Sequence, residues 1–243
     1  LRGVIWYLDL IFDLDDTLIE TIHNYHNILN EFFTLLQNYG FDYSESSNTF
    51  CSLERLRIKS SGFSKDVFPL ALVDTYDTLS TKYGKDINYS FRKHIENLGR
   101  SVYDLDYPEI PGVSDILSYL KNNGHRLLLF TKGDIDIQFN KIRKASLESF
   151  FDIIEVFKDK TLEDFSVFIK KHDLNPEDCI IIGDSVRSDV NPGLLCGMQV
   201  IHVGRDLVWD FEVEEIINSC NYNYTHSIKE VPDIVEKIVN KKL

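Results

Sequence analysis

Leu8-Asp9-Leu10-Ile11-Phe12-Asp13-Leu14-Asp15-Asp16-Thr17 is the stretch on which the fold turns. Its apolar residues, Leu8 to Leu14, read as a short buried strand that delivers acidic side chains at its C-terminal end. Asp13 and Asp15 stand two residues apart, so an extended backbone would point both to one face. Two carboxylates held together repel. Either a cation sits with them or one of them stays protonated.

Working outward, the chain changes rhythm twice. From Ile19 to about Tyr107 the pattern is helical: Phe68, Leu72, Tyr76, Leu79 and Tyr83 recur at helical steps, and polar breaks at Ser44–Thr49 and Ser60–Ser64 are predicted to separate the pieces. After Pro108 and Pro111, strand and helix patterns alternate. Val113, Ile116, Leu117 and Leu120 mark one helix face, closed by Asn122-Asn123-Gly124. Arg126–Thr131, Ile153–Phe157, Cys179–Gly183 and Gln199–Val203 are predicted strands, with an amphipathic stretch to Phe150 and a helix from Thr161 to His172 between them. Ser227 and Glu230 have the spacing of a capping box opening a last helix. Continuously apolar strands alternating with helices predict an α/β fold: a doubly wound, Rossmann-like parallel sheet covered on both faces. Such sheets bind ligands at the C-terminal ends of their strands. At 243 residues the chain has room for that core and an inserted smaller unit.

Composition narrows the function classes. Lys and Arg number 26 against 39 Asp and Glu, a net charge of −13 that repels phosphate backbones and anionic lipids. Nucleic-acid and membrane partners are therefore not expected. A small anionic substrate remains compatible, because cations gathered in one cleft invert the local field. Cys51, Cys179, Cys196 and Cys220 form no Cys-x-x-Cys pair and no zinc spacing, which reads as a reducing, cytoplasmic setting. Leu1–Leu14 is apolar but short and interrupted by Asp9 and Asp13, so it reads neither as a membrane span nor as a cleaved leader.

The residues that end the strands point to the chemistry. The first strand ends in Asp13 and Asp15, the second in Thr131-Lys132-Gly133-Asp134, the third near Lys158-Asp159-Lys160, and the fourth in Gly183-Asp184-Ser185 with Asp189 close behind. Carboxylates, a hydroxyl, ammonium groups and a further carboxylate, converging at strand ends, make a phosphate site. Hard oxygen ligands with water positions left open suit Mg²⁺. A metal-bound carboxylate is a competent nucleophile towards phosphorus, and a protonated neighbour supplies a proton to the leaving group. An isolated Asp-x-Asp is common in loops, and Asp13, Asp15, Asp16 or Thr17 could instead cap the next helix. The order of the other strand ends is what favours the site.

With those motifs in place, the sequence resembles the haloacid dehalogenase-like hydrolase superfamily, in its phosphatase branch. The second motif, Thr131-Lys132-Gly133-Asp134, is similar to that of a subgroup of uncharacterised hydrolases, and Gly62-Phe63-Ser64-Lys65 resembles its cap loop with Ser64 replacing a glycine. The resemblance implies a core of residues 1–19 and 108–243 with a helical cap, of the C1 type, at 20–107. It implies Asp13 as the nucleophile that forms an aspartyl-phosphate, and Asp15 as the proton donor and then base. Thr131 and Lys160 would hold the phosphoryl oxygens, with Lys158 the alternative lysine. Asp13, the backbone carbonyl of Asp15 and Asp184 would hold Mg²⁺, and Asp189 would steady the ion from behind them or compete as a ligand. The implied function is Mg²⁺-dependent hydrolysis of a small phosphorylated metabolite. A phosphomutase, a dehalogenase and a non-catalytic binding protein are the competing readings. Asp15 speaks against the dehalogenase, and the intact set of motif carboxylates against the binding protein.

Overall fold

A computed structural model of the chain describes residues 7–242; Leu1–Trp6, part of the segment expected to be too short for a membrane span, lie outside the described residues. The chain divides into two compact units. One takes the N-terminal residues as far as Glu20 and resumes at Tyr107; the other is Thr21–Asp106. No described helix is long and apolar enough to cross a membrane.

The inserted unit contains α1 (Ile22–Asn38), α2 (Tyr43–Ser61), α3 (Val67–Lys82) and α4 (Tyr89–Ser101). Its core is aromatic: Phe32, Phe33, Phe41, Phe50, Phe68 and Tyr76 are buried with Leu36, Leu72, Leu79 and Ile95. Several of these rings meet edge-on, as Phe50 does with Phe68 at 5.9 Å between centroids, an arrangement that aromatic quadrupoles favour. The predicted break at Ser44–Thr49 is not one, because these residues lie inside α2. The break falls just before them, where Asp42 caps the helix by accepting from the Glu45 N–H at 2.9 Å. Ser46 then folds its hydroxyl back onto the Asp42 carbonyl at 2.7 Å. Serine-rich sequence following an Asp cap is thus a first helical turn. The helical rhythm of α3 buries Phe68, Leu72, Tyr76 and Leu79, while Tyr83, just past its end, is exposed.

The other unit is built on one sheet of β1 (Asp9–Phe12), β2 (Arg126–Lys132), β3 (Ile153–Phe157), β4 (Cys179–Gly183), β5 (Gln199–Val203) and β6 (Tyr222–Thr225). The strand order is β3-β2-β1-β4-β5-β6, and every pairing is parallel. The chain winds outward from β1 in both directions, so the crevice lies where β1 and β4 part. Around the sheet run α5 (Val113–Asn122), α6 (Ile135–Lys144), α7 (Leu162–Lys171), α8 (Asn191–Leu195) and α9 (Val231–Lys242). Alternate residues of the strands, Ile11, Leu128, Phe130, Ile181 and Val200, pack on one face with Phe165 and Phe168 of α7 and Leu194 of α8. Their neighbours Leu10, Phe12, Leu129 and Ile182 are equally buried, as strands covered on both faces require.

Three local expectations need correction. The first strand is shorter than Leu8–Leu14, because the chain leaves the sheet after Phe12 and turns tightly, with Leu18 and Ile19 both donating to the Leu14 carbonyl. Ser227 and Glu230 form no capping box: Glu230 accepts from the Thr225 hydroxyl at 2.6 Å instead, and Ser227 caps a short 3₁₀ turn ahead of α9. A capping box does open α7, between Thr161 and Asp164. Finally, β6 had no apolar run to announce it. As an edge strand it needs none.

Phe130 and Phe168 stack at 4.4 Å, and neither ring is exposed. Phe168→Ala should therefore cost about 3–5 kcal/mol of unfolding free energy, measured by denaturant titration. A loss below about 1 kcal/mol would mean that this stack is not a core element.

Candidate active site

The turn after β1 sets the first two carboxylates. The Asp13 N–H still pairs with the Ile182 carbonyl at 2.9 Å, anchoring Asp13 beside β4. Asp16 adopts a left-handed backbone, φ 59°, which the short polar side chain tolerates. Because the strand has ended, Asp13 and Asp15 reach different partners. None of Asp13–Thr17 caps α1, which begins beyond them at Ile22.

Asp13 is buried and accepts from Nζ of Lys160 at 2.6 Å. The same ammonium contacts Asp189 at 2.5 Å, and its side chain has no exposure at all. Of the two neighbouring lysines it is Lys160 that turns inward; Lys158 is exposed. Burial works against the Lys160 cation, but the charges of Asp13 and Asp189 overcome it and hold its pKa above the ordinary lysine value. For Asp13 burial wins over Lys160, and its pKa is pushed up to about 7. Asp189 also accepts from the Ser185 N–H at 3.1 Å. Gly183 is required by this packing, since a Cβ there would run into the Asp189 carboxylate.

Asp184 ends β4 half-buried, with the Thr17 hydroxyl 3.3 Å away. Burial, then Asp13, Asp189, Asp16 and Glu212, drive its pKa well above the ordinary carboxylate range. Among the described residues, Asp13, Asp184 and Asp189 each offer an oxygen within 4.8 Å of the others. So dense a set of hard oxygen donors, with the ammonium of Lys160 already shared between Asp13 and Asp189, fits a small divalent cation such as Mg²⁺. The side chain of Asp15 is not one of these three. It bonds to Lys141 and Gln138, each at 2.7 Å. Thr131, at the end of β2, is buried and accepts from Gln138 at 2.8 Å.

A second polar cluster adjoins these residues, and its central member, Glu212, was not singled out from the sequence. Glu212, far along the chain, pairs with Lys132 and accepts from the hydroxyls of Ser185 and Ser188. Burial alone would raise its pKa, yet Lys132 and these hydroxyls hold it at about 2. Arg187 is pinned to Asp159 by bonds of 3.1 and 2.7 Å. His202 on β5 lies 3.0 Å from the Asp184 carbonyl and 2.9 Å from the Tyr222 hydroxyl. Donation to that carbonyl puts its proton on Nε2, and burial pulls its pKa below the ordinary histidine value. Of the other histidines, His23 is exposed and His172 meets Glu155. Gln138 and Lys141 of α6, which hold Asp15, likewise carried no signal in the sequence that marked them as site residues.

A doubly wound sheet whose β1 and β4 ends gather carboxylates about a buried lysine defines a hydrolase class. The family model of the haloacid dehalogenase-like hydrolases matches residues 10–203, and the chain belongs to that family. Among characterised relatives, N-acylneuraminate-9-phosphatase of Rattus norvegicus is 28% identical over 201 residues, spanning 78% of this chain and 79% of that protein. Among solved structures, a haloacid dehalogenase-like family hydrolase of Xanthomonas campestris superposes with a TM-score of 0.84 at 22% identity, covering 100% of this chain and 97% of that one. The HAD-hydrolase YfnB of Bacillus subtilis, solved with bound magnesium, gives a TM-score of 0.67 at 22% identity over 94% of this chain and 98% of that one.

The depressed Glu212 pKa has a signed consequence for stability. Its contribution is complete above the ordinary glutamate value of 4.5 and is lost as pH falls towards about 2. The stability gap between the wild type and Glu212→Gln should therefore be widest near neutrality and close across that acid window in thermal melts. A gap unchanged from pH 7 to pH 2.5 would contradict the buried ion pair.

Proposed function

We propose that this protein is a phosphomonoester hydrolase that works through a phosphoryl group carried on Asp13. The observation that bears most weight is the ammonium of Lys160, buried between Asp13 and Asp189 beside a third carboxylate, Asp184. The phosphatase naming of the rat relative supports the same class.

In this reading one Asp13 oxygen forms a bond to phosphorus while the bond from phosphorus to the leaving oxygen breaks. Asp15 delivers the proton that the departing alkoxide takes up. Asp15 then takes a proton from water as that water attacks phosphorus, the Asp13–phosphorus bond breaks, and inorganic phosphate leaves. Lys160 holds the Asp13 carboxylate in place and offsets negative charge on the phosphoryl oxygens. The Thr131 hydroxyl, with one lone pair already engaged by Gln138, is left to donate its proton to a phosphoryl oxygen. A Mg²⁺ held by Asp13, the Asp15 carbonyl and Asp184 would supply Lewis-acid stabilisation of that same charge, and YfnB is a precedent for the ion on this fold. Asp189 would orient Lys160 and the Ser185 amide around it.

The substrate in this reading is a small phosphorylated metabolite with an alcohol leaving group, and the helical unit inserted between Glu20 and Tyr107 acts as the cap that selects it. The four free thiols suit a cytoplasmic setting.

Inorganic phosphate release from a panel of small phosphomonoesters, with and without Mg²⁺, tests the reading. Metal-dependent release is expected, falling by about a thousandfold or more in Asp13→Asn, the scale on which loss of a covalent nucleophile is read. Unchanged turnover in Asp13→Asn would reject it.

A further inference from the structure

Asp15 is gripped on both oxygens from a single helix. One oxygen accepts from Nζ of Lys141 and the other from Nε2 of Gln138, each at 2.7 Å. Gln138 and Lys141 stand at i, i+3 on α6, so they share one face. That face is closed, with Gln138 2% and Lys141 4% exposed. The Lys141 ammonium also sits 4.5 Å from the centre of the Tyr107 ring. A helix that needed only an apolar anchor has one in Ile142, which is fully buried. Burying an amide and an ammonium beside it is costly unless both are satisfied, and both are aimed at the same carboxylate.

Gln138 does a second thing. Its amide nitrogen also donates to Oγ1 of Thr131 at 2.8 Å. An amide NH₂ has two hydrogens, so one group ties the side chain of Asp15 to that of Thr131. The tie is local in sequence: Gly133, with φ 143°, turns the chain from β2 into α6, and the Gln138 side chain packs over it, 3.1 Å from where a Cβ would stand.

We propose that Gln138 and Lys141 are positioning residues that hold the proton carrier and the phosphoryl-binding hydroxyl in one fixed arrangement. The proposal rests on the reading of Asp15 as proton donor and base given above. A carboxylate bound on one oxygen still swings about its last torsion, whereas one bound on both has its plane fixed. Proton transfer needs the carrier within hydrogen-bond reach of the leaving oxygen, and small misplacements cost rate steeply. Because Gln138 holds Thr131 as well, the distance between proton carrier and phosphoryl binder is set by protein atoms before any substrate arrives.

The test separates positioning from mere structure through the leaving group. Help from a proton carrier matters most when the leaving oxygen is basic. Wild type, Asp15→Asn, Gln138→Leu and Lys141→Met would be compared on p-nitrophenyl phosphate, phenyl phosphate and benzyl phosphate, with kcat and KM measured separately. Asp15→Asn should steepen the dependence of kcat on leaving-group acidity. Gln138→Leu and Lys141→Met should steepen it in the same sense, losing about ten- to a hundredfold in kcat on benzyl phosphate, within the range that general acid catalysis supplies, and only a few-fold on p-nitrophenyl phosphate. In the Asp15→Asn background the same two changes should add little, as coupled residues do. Lys141→Arg should recover part of the loss. If either variant fails to fold, Gln138→Glu keeps the shape but sets a like charge against Asp15, and is expected to give the same steepening. Equal losses on all three substrates, or full additivity with Asp15→Asn, would overturn the proposal while leaving Asp15 as the proton carrier. An unchanged slope in Asp15→Asn itself would remove that reading, and the proposal with it.

Discussion

A lysine ammonium with no exposure to water is the constraint around which this site is arranged. Lys160 sits between Asp13 and Asp189, and an unpaired charge at that depth would be untenable. The three members of this cluster come from separate places in the chain: Asp13 from the end of β1, Lys160 from the connection after β3, and Asp189 from the turn after β4. Only a parallel sheet wound in both directions from β1 brings those strand ends to one side. The ion triad therefore depends on the fold, and breaking one member would strand the others.

The surroundings follow from that demand. Asp189 needs room, which Gly183 supplies by having no Cβ. Asp184 lies close to other carboxylates, and burial first, then their negative charge, raises its pKa. Lys132 and Lys141 do not relieve it, because each is committed elsewhere, to Glu212 and to Asp15. A crevice with a negative surplus at one point and a hydroxyl and ammonium beside it is suited to a cation and a phosphoryl group together.

How much of this was legible depended on how local each signal is. The bounds of β4 could be read directly because two-sided burial demands an unbroken apolar run, and Asp184 just past its end stood out against it; β3 and β5 were legible from their flanking apolar residues although Glu155 and His202 interrupt them. The end of β1 could not be read, since Leu14 continues the apolar run while the backbone is already turning. Ser44–Thr49 was misjudged because the capping residue, Asp42, lies before the polar segment rather than in it. Glu212 was out of reach: it stands in a polar stretch with no motif, and only the folded chain brings it to Lys132, Ser185 and Ser188. Gln138 and Lys141 are polar positions on an amphipathic helix, and the sequence does not say that they face inward. That their side is the buried one is a tertiary fact, decided by where α6 lies and not by its periodicity.

The central claim is that Asp13, held by Lys160, becomes covalently phosphorylated during turnover. The most direct measurement is a rapid acid quench during turnover of a phosphomonoester, followed by borohydride reduction and peptide mass analysis. Reduction of Asp13 to homoserine is expected, seen only when substrate was present and absent in Lys160→Met. Phosphate release at full rate with Asp13 unmodified at every quench time, or with the label on another residue, would contradict it.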